Sequence, residues 1–144
     1  MMFSRDIPIG GFKMTEDIKA LSKLGYIESE NLKKSKGMGA FLASAEGEGG
    51  GIRVARRMAH DNLIDEVRRS LRYYTKESGV RDFDRVLFSG GASMTINLNS
   101  QLAQALSMTV EIYNPFELFT VPPGFNDSIG AQLAIACGSA LREE

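Results

Sequence analysis

An α/β fold is predicted for this chain, and three observations predict it. The last third alternates "RVLFSGG", "MTINLNSQLAQALS", "TVEIYNPF" and "DSIGAQLAIACGSALREE", which read as strand, helix, strand and helix with short connections. Ahead of it, "IRVARRMAHDNLIDEVRRSLRYYTKESG" sets Val54, Met58, Leu63 or Ile64, Val67, Leu71 and Tyr74 at helical spacing, with its arginines on the other face. This is the longest predicted helix. Third, the strand "VLFSGGAS" ends on two adjacent glycines where a helix begins, and neither glycine offers a side chain to pack.

The first segment is "SRDIPIGGFKMTEDIKALSKLG". Ile7 and Ile9 alternate around Pro8 like the end of a strand, and Gly10-Gly11 turn the chain. Thr15 with Asp17 opens a helix carrying Ile18, Leu21 and Leu24, and Gly25 closes it. A second helix, "ESENLKKSK", is charged at most positions and is expected to be solvated or to face a polar ligand. "GMGAFLASAEGEGGG" holds Gly37, Gly39, Gly47, Gly49, Gly50 and Gly51 and is expected to be a flexible loop. In the final helix Ile129, Leu133, Ala136, Cys137 and Ala140 form a stripe rich in small residues, suited to close packing on a sheet. The boundaries that follow are 1–14 for the end of a core strand region and its Gly-Gly turn, 15–80 for a helical subdomain with the loop at 37–51, and 81–144 for a core α/β segment.

Bulk numbers limit the function. With 144 residues, 43% hydrophobic and 24% charged, the chain can bury a core of its own. Seventeen Lys and Arg stand against eighteen Asp and Glu, without the basic excess that tracks nucleic acid. One cysteine excludes an internal disulfide and suits a reducing cytoplasm. No apolar run approaches the ~20 residues of a membrane span, so direct membrane insertion is not expected. A signal peptide is not expected at "MMFSRDIPIGG".

Taken one by one, the candidate sites each have a plain structural reading. Gly90 and Gly91 expose backbone where a flat ring or a phosphate can come close, or they simply make a tight strand-to-helix turn. Glu30 and Lys33 stand i, i+3 on one helical face; the pair can clasp the hydroxyls of a ribose, or be a surface ion pair worth under ~1 kcal/mol. The Gly-rich loop lacks the Gly-Lys-Ser/Thr ending of a phosphate loop and no strand precedes it. His60, the sole histidine, has no ligand set at metal spacing, and Cys137 has no histidine beside it, so buried packing is preferred to nucleophile.

The order and spacing of these motifs resemble the C-terminal half of the type IV pilus assembly family PilM, in the actin-like ATPase superfamily that also holds the division protein FtsA. "SRDIPIGGFKMTEDI" is similar to that group's Arg-x-Ile-x-x-Gly-Gly-x-x-[Ile/Leu]-Thr-x-x-Ile segment, and "ESENLKK" to its Ala-Glu-x-x-Lys helix, with Ser29 where Ala is usual. "DEVRRSLRYYTKESG" resembles the family's Glu-Ile-x-Arg-Ser-Leu-x-Phe-Tyr helix; "VLFSGGAS" looks like the adenosine motif; "VEIYNPF" before an Ala-rich helix ending in Leu-Arg is particularly PilM-like.

The resemblance implies the second lobe of an actin-like, ribonuclease H-like ATPase fold with a small helical subdomain inserted. By position, Gly90 and Gly91 would lie against adenine and its sugar, Ser93 and Met94 would line the base, Glu30 and Lys33 would hold the ribose hydroxyls, and Gly11 would approach from the cleft floor. The implied cofactor is ATP, with Mg in the intact family. The implied partner is a protein of the PilN type, bound through a first lobe that this chain lacks. Open sheet edges would favour a homo-oligomer. The superfamily's phosphate loops carry Asp-x-Gly, which occurs nowhere in this sequence, so no hydrolysis is expected of this chain alone. The implied role is a nucleotide-responsive scaffold on the cytoplasmic side of a pilus or secretion machine, peripheral to the inner membrane through partners. An FtsA-like division protein and a sugar- or acetate-kinase-like phosphotransferase are the alternatives.

Overall fold

The computed structural model describes residues 3–38, 57–124, 126 and 129–142. In chain order these form helices α1 (Gly11–Ser22), α2 (Tyr26–Lys36) and α3 (Ala59–Ser78), strand β1 (Val86–Phe88), a 3-10 turn (Gly91–Met94), helix α4 (Leu98–Leu106), strand β2 (Val110–Ile112), a second 3-10 turn (Pro115–Leu118) and helix α5 (Gly130–Ala140). The strands are parallel, with Val86 opposite Val110 and Phe88 opposite Ile112. Parallel pairing requires a crossover, which α4 supplies. The predicted strand–helix–strand–helix alternation is therefore present, in shorter elements than the sequence suggests.

The N-terminal segment departs from expectation. Residues 3–10 form no strand, and Ile9 N–H instead donates to the Ile7 carbonyl at 2.8 Å. Gly11 is not a turn residue but the first residue of α1, which starts four positions before Thr15. Thr15 and Asp17 are capping residue types, yet neither caps α1. Thr15 Oγ1 lies 3.0 Å from the Gly11 carbonyl, inside the helix, while Asp17 Oδ2 accepts the Ala59 N–H at 2.6 Å and so caps α3 from a distance of 42 residues. Lys23, in the left-handed region at φ 58°, ends α1; Gly25 opens α2, where its N–H donates to the Glu28 carboxylate at 2.7 Å.

The long helix matches its predicted face: Ile64 is buried, and Leu63, Val67, Leu71 and Tyr74 are half-buried. It begins at Ala59, and Asp61 Oδ2 accepts the Met58 N–H at 3.1 Å. Val54 and the glycines from 39 to 51 lie outside the described residues, whereas Gly37 ends α2. One apolar cluster joins the elements: Met14 and Ile18 of α1, Met38, Met58, Ala59 and Ile64 around α3, and Leu98 and Leu102 of α4, with Phe88 and Val110 of the strands against it. Because α1 and the β1–α4 junction share this core, their relative placement is set by packing.

Two local features tie the start of α5 to the segments that follow the two strands. Gly90 N–H donates to the Ala131 carbonyl at 2.6 Å, tying the turn to the first turn of α5. Gly130 sits so close to the Asn114 side chain that a Cβ there would lie 1.7 Å from Asn114 Oδ1. The "YNPF" segment thus leaves β2 directly into a turn over which α5 begins. The packed face of α5 is not the predicted stripe: Gly130 and Ala131 are buried and Ala134 and Cys137 half-buried, while Leu133, Ala136 and Ala140 are exposed. The helix packs on the two 3-10 turns, which shifts its buried face by a residue or two.

Candidate functional site

A cavity of about 470 Å³ opens between the start of α1, one face of α2 and the turn after β1, with Gln132 of α5 on its edge. Gly11, Glu30, Lys33, Gly90, Gly91 and Met94 line it, so six of the seven residues singled out from the sequence stand around one space. Ser93 does not. It is buried beneath the wall, and its Oγ donates to the Gly90 carbonyl at 2.7 Å, which makes it a brace for the turn rather than part of the lining. The cavity also takes in Phe12, Tyr26, Lys34, Ala92 and Thr95, which motif reading passed over. For Tyr26 and Lys34 the signal was periodicity: with Glu30 they recur every four residues and share a face of α2.

The charged pair is not the open clasp its spacing suggests. Lys33, in a helix expected to be solvated or to face a polar ligand, is only 5% exposed. Its ammonium donates to Glu30 Oε2 at 2.7 Å, Thr15 Oγ1 at 2.8 Å and the Gly11 carbonyl at 3.0 Å. Three protons meet three acceptors, so none is left for a ligand. Lys33 fastens α2 to α1 and fixes the Glu30 carboxylate, which also receives the Thr15 hydroxyl. Burial pushes the Glu30 carboxyl up; the hydrogen bonds from Lys33 and Thr15 and the charges of Lys33 and Lys34 outweigh it and hold the group below the usual glutamate range. Glu30 is therefore an oriented carboxylate. Its Oε1 lies 3.5 Å from the ammonium of Lys34, whose side chain is largely exposed.

Three of the four glycines that line the cavity, Gly11, Gly90 and Gly91, are bare for three different reasons. A Cβ on Gly11 would stand 3.3 Å from the Lys33 ammonium, so the brace itself disfavours a side chain there. Gly90 has φ +89°, which a side chain resists. Gly91 has no left-handed backbone, and among the described residues no atom lies within 4 Å of where its Cβ would stand, so the bare backbone leaves space to the cavity.

Other candidates hold less chemistry. A second cavity of about 440 Å³, under Phe3, Ile7, Leu71, Tyr74 and Phe83, is mainly apolar, and its Arg5 is engaged by Glu66 and Ser70. His60 is buried with Nε2 3.3 Å from Asp61 Oδ1, and Cys137 is a half-buried free thiol. Among the described residues no group of three or more His, Cys, Asp or Glu is placed to hold a metal ion, and no helix is long and apolar enough to cross a membrane.

Comparison with known proteins agrees with the motifs. The family model described as type IV pilus assembly protein PilM matches residues 1–144. A solved structure titled "PilM-PilN type IV pilus biogenesis complex" contains a chain with 26% sequence identity and a TM-score of 0.71. The match takes in 96% of the present chain and 38% of that one, so the chain spans little more than a third of the length of this neighbour. The mixed helix-and-sheet arrangement accordingly resembles PilM, which has an actin-like fold. On the family match over all 144 residues, this chain belongs to the type IV pilus assembly protein PilM family.

Proposed function

We propose that the chain is the nucleoside-binding part of an actin-like pilus assembly protein, a nucleotide-responsive scaffold acting on the cytoplasmic side. The observation that carries this reading is the meeting of Glu30, braced by Lys33, with the bare Gly90–Gly91 backbone on one cavity. Its volume falls within the ~300–1,000 Å³ range of small-molecule sites. When bound, ATP supplies two vicinal hydroxyls, a flat base and a polyanionic tail. Glu30 accepts hydrogen bonds from the hydroxyls, the role shared between Glu30 and Lys33 in the sequence reading. Gly90, Gly91 and Met94 border the base and sugar. The residues fit the nucleoside; they do not fit Mg, for which no acidic cluster is arranged among the described residues.

The Asp-x-Gly turn that would cradle the outer phosphates does not occur in the sequence, and in this reading the chain by itself binds without turnover. In this reading residues 15–80 serve as the helical subdomain and 81–144 as part of the second lobe of the fold. A PilN-type protein is the partner of the assembled machine and holds it at the inner membrane. The exposed Leu87 and Ile112 on the two-stranded sheet, with Ile135 on α5, favour self-association.

Calorimetric titration with ATP and with 2′,3′-dideoxy-ATP tests the site. The expected result is a loss of roughly tenfold or more in affinity on removing the hydroxyls, and a similar loss for Glu30→Gln, which then no longer distinguishes the two ligands. Phosphate release should stay at background. Equal affinity for both ligands in the wild type would remove Glu30 from the role, and turnover by the 144-residue chain would refute binding without hydrolysis.

A further inference from the structure

Phe12 and Tyr26 are aromatic residues of the cavity wall that the ribose contacts leave unexplained. Their ring centroids are 5.8 Å apart and their planes meet at 33°. Phe12 is 67% exposed and Tyr26 41%. Large aromatic surfaces normally enter the core, and here two of them stand together in solvent beside a backbone floor without side chains.

Their positions are set by the framework already described. Phe12 follows Gly11, whose carbonyl is held by the Lys33 ammonium and whose Cβ position is 3.9 Å from the Ala92 backbone. Tyr26 is one helical turn before Glu30 on the same face of α2. The pair is thus anchored between the group assigned to the sugar and the turn assigned to the base. An occupant with two flat, uncharged faces suits these walls, and a base carried on a ribose that Glu30 holds is such an occupant.

Resting on the nucleotide reading above, we propose that Phe12 and Tyr26 form a stacking wall for the base, so that the site prefers purine to pyrimidine nucleotides. Stacking on an aromatic side chain scales with overlapping ring area and tolerates any base; a two-ring purine gains more than a one-ring pyrimidine. No base-edge hydrogen bond is needed, so ATP and GTP should differ less from each other than either does from CTP.

The chain contains no tryptophan, so Phe12→Trp places a single indole fluorophore at the site. In the full chain, ATP should quench or shift this fluorescence. Titration calorimetry on the wild type should give tighter binding of ATP and GTP than of CTP, and Phe12→Ala and Tyr26→Leu should each weaken ATP by roughly five- to a hundredfold, the range of base–aromatic stacking, while narrowing the gap to CTP. Both positions are exposed enough for these variants to fold, which circular dichroism checks. Equal binding of ATP and CTP by the wild type, or unchanged ATP affinity in both variants, overturns the stacking wall and leaves the ribose contact of Glu30 standing. Absence of binding by any nucleotide overturns both readings.

Discussion

Replacing Lys33 with methionine tests the central geometry. Lys33→Met keeps a stem of similar length and removes three hydrogen-bond donors from a site where the lysine side chain is 7% and the glutamate side chain 24% exposed. A hydrogen bond to a charged group contributes ~1.5–3 kcal/mol, and each neutral acceptor left bare adds about 1 kcal/mol. Water reaching Glu30, and Lys34 at 3.5 Å, offset part of that sum. We expect a net loss of about 2–3 kcal/mol at pH 7. With an unfolding entropy of ~2.1 cal/mol/K per residue, this is a drop in Tm of roughly 7–10 °C.

The loss also carries a pH signature. The folded Glu30 titrates below its ordinary value near 4.5, so its contribution is fully present above that pH and is lost as the pH falls through the lower folded value. In Lys33→Met the largest opposing cause is gone, burial counts for more, and the acid-side slope flattens. The gap between wild type and variant should therefore be widest near neutrality and shrink on acidification below about 4.5. Urea unfolding followed by circular dichroism at pH 7 and at stepped acid pH measures both. A variant within about 0.5 kcal/mol of wild type at pH 7, or a gap that does not move with pH, would refute a braced carboxylate.

Three further substitutions probe the positive-φ glycines and the distant cap of α3. Gly37→Ala and Gly79→Ala both force a side chain onto a positive-φ backbone, but Gly79 is left-handed helical with no described atom within 4 Å of its Cβ, whereas Gly37, at φ 67° and ψ −169°, is in a glycine-only region and its Cβ would also meet the Ile96 carbonyl at 2.4 Å. Thermal melts should show a loss of about 1 kcal/mol at Gly79 and at least twice that at Gly37. Asp17→Ala should cost about 1 kcal/mol in urea unfolding by releasing the Ala59 N–H, with faster amide exchange in the first turn of α3 rather than in α1, where Asp17 resides.

Much of the family membership was legible because its signals are local. Gly-Gly at a strand end, the Glu-x-x-Lys spacing and the long helix face depend on neighbours a few positions apart, and their order along the chain suffices to suggest that 30, 33, 90 and 91 serve one site. The misreadings share a different cause. Thr15 and Asp17 have the chemistry of a local cap, so the start of α1 was placed four residues late; their partners lie 15 and 42 residues away. Ser93 follows the double glycine like a lining residue, and the fold turns it inward.

The sequence alone determined the alternation of strand and helix, the buried face of α3, the resemblance to a pilus assembly family and the residues around which a site could form. Only the tertiary structure decided that Lys33 has no proton to spare, that Gly91 is bare toward open space, and that Phe12 and Tyr26 share that space. The physical reason is that periodicity records which side of an element is apolar, whereas a polar atom's partner depends on which elements pack together. Lys33 reaches the Gly11 carbonyl across 22 residues, a pairing that spacing along the chain does not encode.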